Sequence, residues 1–314
     1  IVDKSPKNGQ YWLTGSQQFS IMKNVQESLA GRVGILYLLG FSWAEERSIE
    51  KLKHPFSSES LESKDYDGIS FRSVFQKIWR GSFPVLTQRN APDPEIFYNS
   101  YLQTYLDRDL RDIFGVAKIS TFHNFLQLCA ARTGQILNYT NLARDAGISL
   151  NAAHEWIGIL ENSMQIYLLR PYYKNISNRL IKAPKMYFLD TGLAAFLTKW
   201  KTPETLSSGA MAGAFFETFV VSEIFKSYIY RGENPPLYYF RDKEGHEIDV
   251  LIEANDKLFP VEIKMAAKVH ASDVSNIHYL QKKGLVENGV IISLSKKTYP
   301  IDRNNDVLPV GVIQ

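Results

Sequence analysis

Apolar and polar positions along this chain change period several times, and the changes mark its parts. Near the start, "QYWLTGS" is a short apolar run that closes on a polar turn and reads as a strand. "SIMKNVQESLAGR" spaces Ile21, Val25 and Leu29 four apart, one face of a helix that Gly31 ends. "GILYLLGFSW" reads as a buried strand. Arg47 to Gly68 is polar and predicts a loop with helical pieces, after which "SFRSVFQKIWRGSFP" returns to helical spacing. Pro92 and Pro94 mark a boundary.

The next stretch is helical. "EIFYNSYLQTYLDRDLRDIFG" places Phe97, Tyr101 and Tyr105 on one face, and "ISTFHNFLQLCAARTGQIL" predicts a second helix. "NYTNLARDAGISLNAAHEWIGILENS" reads as helix, turn, helix, with the turn at Gly147, a cap near Ser149, and apolar Ala153, Trp156, Ile157 and Leu160 following in register. "MQIYLLRPYYKNISNRLIKAPKMYFLD" predicts a β-hairpin whose connection carries Lys174, Arg179, Lys182 and Lys185 and no acid. Asp190 then caps a helix beginning at Thr191.

From residue 205 onward an apolar helix, "AGAFFETFVVSEIFKSYI", precedes the strands "PLYYFRD", "HEIDVLIEAN", "LFPVEIK" and "NGVIISLS", with a helix near Ser272–Lys283 before the last, an α/β pattern. Strict alternation puts Glu247, Asp249 and Leu251 on one face and Ile248, Val250 and Ile252 on the other, while Glu262 and Lys264 oppose Val261 and Ile263. Paired as a hairpin, the two strands set Asp249 beside Glu262. Adjacent carboxylates repel unless a cation lies between them, and Mg²⁺ is held by one or two carboxylates with waters. Lys264, one step along, is placed to polarise a water for attack on a phosphodiester, and Glu217 interrupts the preceding apolar helix. The expected site is therefore Asp249, Glu262, Lys264 and Glu217, with Asp249 and Glu262 holding the metal. Glu247, Glu253 and Asp256 read as solvent-face charges.

Composition adds limits. The chain has 314 residues, 45% of them hydrophobic, with a net charge of +3, enough for two or three domains and neutral enough that charge alone does not argue for nucleic acid. A lone Cys129 excludes an internal disulfide and reads as a buried apolar residue, in keeping with a cytoplasmic protein. The longest apolar run is too short to span a bilayer, so no membrane partner is expected. "MYFLDTG" mimics the end of a Walker B strand, but no G-x-x-x-x-G-K-[ST] occurs in the chain. "YLDRDLRDI" reads as ion pairs on an exposed helix face, and the six histidines show no metal-ligand spacing.

In the order helix Glu, strand Asp, then Glu-x-Lys on the next strand, Glu217, Asp249, Glu262 and Lys264 resemble the PD-(D/E)xK nuclease signature. The helix–turn–helix followed by a hairpin resembles a winged helix, whose basic hairpin suits DNA phosphates; such a module also serves as a packing unit. More widely, "YWLTGS" with "SLAGR", "YLQTYLDRDLRDI", "FLQLCAARTGQILNYTNLARDAGIS", "RLIKAPKMYFLDTGLAAFL" and "EIDVLI…VEIK" resemble successive blocks of bacterial and archaeal AAA-type ATPases whose C-terminal half is a domain of unknown function. That resemblance implies a chain that opens inside a folded unit, with Walker A and B segments N-terminal to Ile1, ATP bound only by the intact parent, and homo-oligomers formed through the AAA-type part. It makes Thr14 and Ser16 sensor-region residues and Arg32 a phosphate- or interface-facing arginine, and it implies a restriction-endonuclease-like C-terminal fold. The expected fold class is a multidomain α/β protein: a partial AAA-type segment (1–90), a helical winged-helix-like module (91–205) and a PD-(D/E)xK restriction-endonuclease-like domain (206–314). The expected function is Mg²⁺-dependent DNA cleavage; the alternative is a non-catalytic DNA-binding or protein-interaction module with a degenerate site.

Overall fold

The fold is taken from a computed structural model that describes residues 34–49, 54–61, 68–106, 119–173 and 182–313, together with Gly9 and Trp12. Thr14, Ser16, Arg32, Lys174 and Arg179 lie outside the described residues. Short helix α1 spans Trp43–Glu46, and α2 spans Phe71–Arg80, capped by Ser70. Helix α3 is Pro94–Tyr101, with Asp93 accepting from the Glu95 and Ile96 amides, and α4 is Ile119–Ala130. The two-residue strand β1, Gln135–Ile136, follows where the sequence predicts continued helix. "GILYLLGFSW" is likewise not a strand: residues 34–39 form no regular element, and Leu36 and Leu38 are exposed.

Helices α5 (Tyr139–Ala146) and α6 (Leu150–Asn162) match the expected helix–turn–helix. Gly147 closes α5 in the left-handed region at φ +66°, a conformation that costs a side-chain-bearing residue more than glycine. The Ser149 hydroxyl accepts the Ala152 amide at the start of α6, and Ala153, Trp156, Ile157 and Leu160 form its buried face. Ser149→Ala should cost about 1 kcal/mol in chemical denaturation; an unchanged midpoint would show that the cap is dispensable. The predicted hairpin is present as antiparallel strands β2 (Ile166–Pro171) and β3 (Lys185–Phe188). Asp190 caps α7 (Thr191–Leu197) by accepting the Leu193 amide, as its position predicts, and its other oxygen takes the Ser82 amide and hydroxyl.

After α8 (Pro203–Ser208) comes the longest helix, α9 (Ala212–Ile229), buried on nearly all sides. Strands β4 (Leu237–Arg241), β5 (Glu247–Ala254) and β6 (Lys257–Lys264) form a meander. The β5–β6 turn uses Asn255 and Asp256 with φ of 51° and 60°, which these side chains tolerate and a two-residue hairpin demands. Helix α10 (Ser275–Lys282) then crosses to β7 (Gly289–Ser293), parallel to β6. Two strands absent from the sequence-based expectation, β8 (Tyr299–Pro300) and β9 (Asn305–Pro309), complete the sheet.

Among the described residues, nine strands join one mixed sheet in the order β1-β3-β2-β4-β5-β6-β7-β9-β8. The parallel pairing of β2 with β4 carries the sheet across the expected boundary at 206, and one apolar core runs from Trp43 to Ile313. Helix α9 covers one face, with Phe215, Phe219 and Ile224 in the same core as Val250, Ile252, Val261 and Ile263. Helix α10 covers the other, with Ile277 and Leu280 packed with Ile248, Leu251, Ile291 and Val307. Among the described residues, no helix is long and apolar enough to cross a membrane.

Candidate functional site

Ile248 and Val250 should share a face under strict alternation, yet they lie in different cores. The register of β4 on β5 shifts between Tyr238 and Phe240, so three steps on β5 oppose two on β4. A bulge of this kind re-aims the side chains beside it. Here it turns both Glu247 and Asp249 toward Lys185. Lys185 and Tyr187 alternate with Met186 on β3, so they share a face. The Lys185 ammonium lies 2.6 Å from Glu247, 3.3 Å from Glu217 on α9 and 3.7 Å from Asp249. The Tyr187 hydroxyl donates to the same Glu217 oxygen at 2.6 Å.

The ladder between β5 and β6 runs from Ala254/Lys257 to Val250/Val261 and stops there. Beyond it, the Ile263 amide donates to Asp249 Oδ2 at 2.8 Å instead of to a strand carbonyl. Asp249 therefore stands in the gap where the two strands part, and its carboxyl is in hydrogen-bonding reach of Glu262. Glu262, flanked by core residues Val261 and Ile263, turns to the α10 side, where Asn276 Nδ2 is 3.5 Å from its Oε1. Only 2% of its side chain is exposed, and Lys264 Nζ lies 3.4 Å from its Oε2.

The electrostatics follow from this crowding. Burial, then the Asp249 charge and the hydrogen bond to it, hold the Glu262 carboxyl well above the usual range, against the pull of Lys264. Burial works against charge on Lys264 and Lys185 as well, but the carboxylates around each outweigh it and raise both. Burial and Asp249 push Glu217 up from 4.5 to about 7, against Lys185 and Tyr187. The folded state then keeps a proton on Glu217 that the unfolded chain has lost. That contribution is present below about pH 4.5 and is lost as pH rises to about 7. Relative to Glu217→Gln, the wild type should lose stability across that window and track the variant outside it; parallel denaturation curves throughout would contradict the assignment.

Asp249, Glu262 and Lys264 are thus brought together, and Glu217 joins them through Lys185 and Asp249. Two expectations need correction. Lys185, expected to face phosphates, is only 4% exposed and is held by three carboxylates. Lys182 of the same segment is exposed. Glu247, expected to be a solvent-face charge, is the nearest partner of Lys185 because of the bulge. Cys129 is fully buried and burial raises its thiol, consistent with an inert apolar role.

Sequence reasoning also missed a group in the β4–β5 turn, where Asp242, Glu244 and His246 each offer a ligand atom within 4.8 Å of the others. Its signal was present in the alternating D-x-E-x-H of "RDKEGHE". Asp242 closes the turn by accepting the Glu244 and His246 amides, and it also takes the Tyr279 hydroxyl at 2.6 Å. His246 stacks on Tyr279, and its Nδ1 is 3.3 Å from Asn276 Oδ1. Asn276 therefore touches both this turn and Glu262.

Comparison with known families divides the chain as follows. Residues 1–46 match an AAA domain, residues 72–204 match a domain of unknown function (DUF8612), and residues 212–313 match a second domain of unknown function (DUF4143). Lys185 and Tyr187 fall in the second matched region and the site carboxylates in the third, so the cluster is assembled across the two. Uncharacterized proteins of Mycobacterium bovis and Mycobacterium tuberculosis are each 25% identical to the chain over 266 residues, covering 84% of it and 54% of their own length. The chain thus spans about half the length of these curated relatives. No solved structure matches. These matches relate the chain to AAA-type ATPases.

Proposed function

We propose that the chain works alongside an AAA-type ATPase module as a DNA-acting unit that hydrolyses phosphodiesters with Mg²⁺, at a PD-(D/E)xK-like site in its C-terminal region. The observation that carries this reading is the meeting of Asp249, Glu262 and Lys264 where β5 and β6 part. The donor set fits a divalent cation. Two carboxyl groups in hydrogen-bonding reach, one almost fully buried, cannot both ionise without positive charge between them. Without a cation, the elevated Glu262 carboxyl meets that constraint by keeping a proton. Asp249 and Glu262 would hold the ion, which when bound would neutralise phosphate charge and activate a water. Asp249 is fixed for that purpose by the Ile263 amide, and Glu262 by Asn276 and Lys264. Lys264, half-buried and charged, orients the attacking water and offsets charge on the phosphate.

The upstream helices α5 and α6, with strands in the order β1–β3–β2, support a winged-helix-like module that holds duplex DNA. Lys182, Lys174 and Arg179 of its connection are the proposed phosphate contacts. Such contacts weaken steeply with salt, so a gel shift seen at low salt should fade as salt is raised. No binding at low salt would remove DNA from the proposal. Incubation of supercoiled plasmid with Mg²⁺ or Mn²⁺ tests the reaction itself: nicking that requires the cation is expected, and intact plasmid would sink it. One observation favours the second reading, a non-catalytic DNA-binding or protein-interaction module: Lys185 already supplies positive charge to Glu217, Glu247 and Asp249.

A further inference from the structure

The ammonium of Lys185 occupies the side of Asp249 that faces α9, bridging Asp249 to Glu217 and Glu247. It enters the carboxylate cluster from β3, outside the region that supplies the carboxylates themselves. It is a buried point charge, held by the close hydrogen-bonded contact to Glu247 and by two longer approaches. With all three ionised, the carboxylates around this ammonium exceed it by two charges, and Arg241, 3.6 Å from Glu247, offsets one of them. Lys185 therefore already supplies positive charge at Asp249 that a metal ion would otherwise supply.

We infer that Lys185 is a built-in counter-cation that competes electrostatically with the divalent cation at Asp249 and Glu262, setting how tightly that site binds metal. The inference rests on the metal-site reading above. A positive charge within a few ångströms of Asp249 repels an incoming dication, and in a partly buried setting such a charge is only partly screened. The charge comes from the hairpin that precedes α7, so movement of that hairpin would be felt as a change in metal affinity.

Isothermal titration with Mn²⁺ tests this on the full chain, comparing wild type, Lys185→Met and the charge-retaining Lys185→Arg, with the Mn²⁺-dependent rise in melting temperature as a second readout. The expected result is binding at least about tenfold tighter in Lys185→Met, with Lys185→Arg close to wild type. Lys185→Gln serves if the Met variant does not fold. Equal or weaker binding by the neutral variants overturns the inference, even if the wild type binds Mn²⁺ and cuts DNA. The predicted order of affinities without DNA cleavage would instead defeat the nuclease reading and leave the counter-cation standing. No Mn²⁺ binding by any variant overturns both.

Discussion

Changing Asp249 to alanine should lower Mg²⁺-dependent plasmid cleavage by about a thousandfold or more. A metal ion that polarises a phosphoryl oxygen and activates water contributes several kcal/mol to the transition state, and about 1.4 kcal/mol corresponds to each factor of ten in rate. Asp249 has one oxygen on the Ile263 amide and the other toward Lys185, and its carboxyl is in hydrogen-bonding reach of Glu262. Alanine also strips the Ile263 amide of its acceptor, so a drop in activity could reflect local distortion. Asp249→Asn resolves this. It keeps an oxygen for that amide and removes only the charge. The expected outcome is a comparable loss in both variants with near-native melting in the Asn form; cleavage retained by Asp249→Asn would show that the carboxylate is not a metal ligand.

The largest expected effect on stability lies in α9, the helix that carries Glu217. Glu223 and Lys226 of α9 are 3% and 2% exposed as side chains and pair at 2.8 Å. Glu223 also accepts the Trp43 amide at 2.6 Å, at the N-terminus of α1, where a negative charge is favoured. Lys226 donates to the Phe41 carbonyl at 3.2 Å, and Tyr230 to that of Gly40. Two turns of α9 therefore fasten residues 40–43, within the region that matches an AAA domain, to the helix that carries Glu217. Glu223→Ala leaves an unpaired ammonium and an unsatisfied amide in the interior and should cost about 3–5 kcal/mol. Glu223→Met with Lys226→Met should cost clearly less than the single change, because no isolated charge remains. A loss below about 1 kcal/mol for Glu223→Ala would mean that water reaches the pair.

The sequence pattern carried the elements whose periodicity was strong. Helix α9, with core residues at almost every position, and α6, with Trp156, Ile157 and Leu160 in register, lie where their apolar spacing puts them. So does the β5–β6 hairpin, because Asn255 and Asp256 state the turn as plainly as the flanking strands state the pairing. Pattern failed where tertiary packing decides. The apolar run at 34–39 has the composition of a strand but no pairing partner among the described residues, and Leu38 stays exposed. Strand β9, "NDVLP", is short and opens on polar residues; it is recruited by the exposed edge of β7.

The site was legible to the same extent. The alternation of "VEIK" places Glu262 and Lys264 together, and that survives folding. The bulge in β5 has no signature in "EIDVLI", so the sharing of Lys185 by Glu247 and Asp249 was hidden. Lys185 misled for a further reason. It closes a run of basic residues that read as a surface, but as the first residue of β3 it points under α9. Charge patterning gives sign and spacing along the chain; it does not give the face that the sheet will bury.

The central claim is that Asp249 and Glu262 together hold a divalent cation, and anomalous diffraction from crystals containing Mn²⁺ tests it most directly. The account predicts a manganese peak between these two carboxylates, with Lys264 beside it. A peak confined to Asp242, Glu244 and His246, or no peak at all, would contradict it.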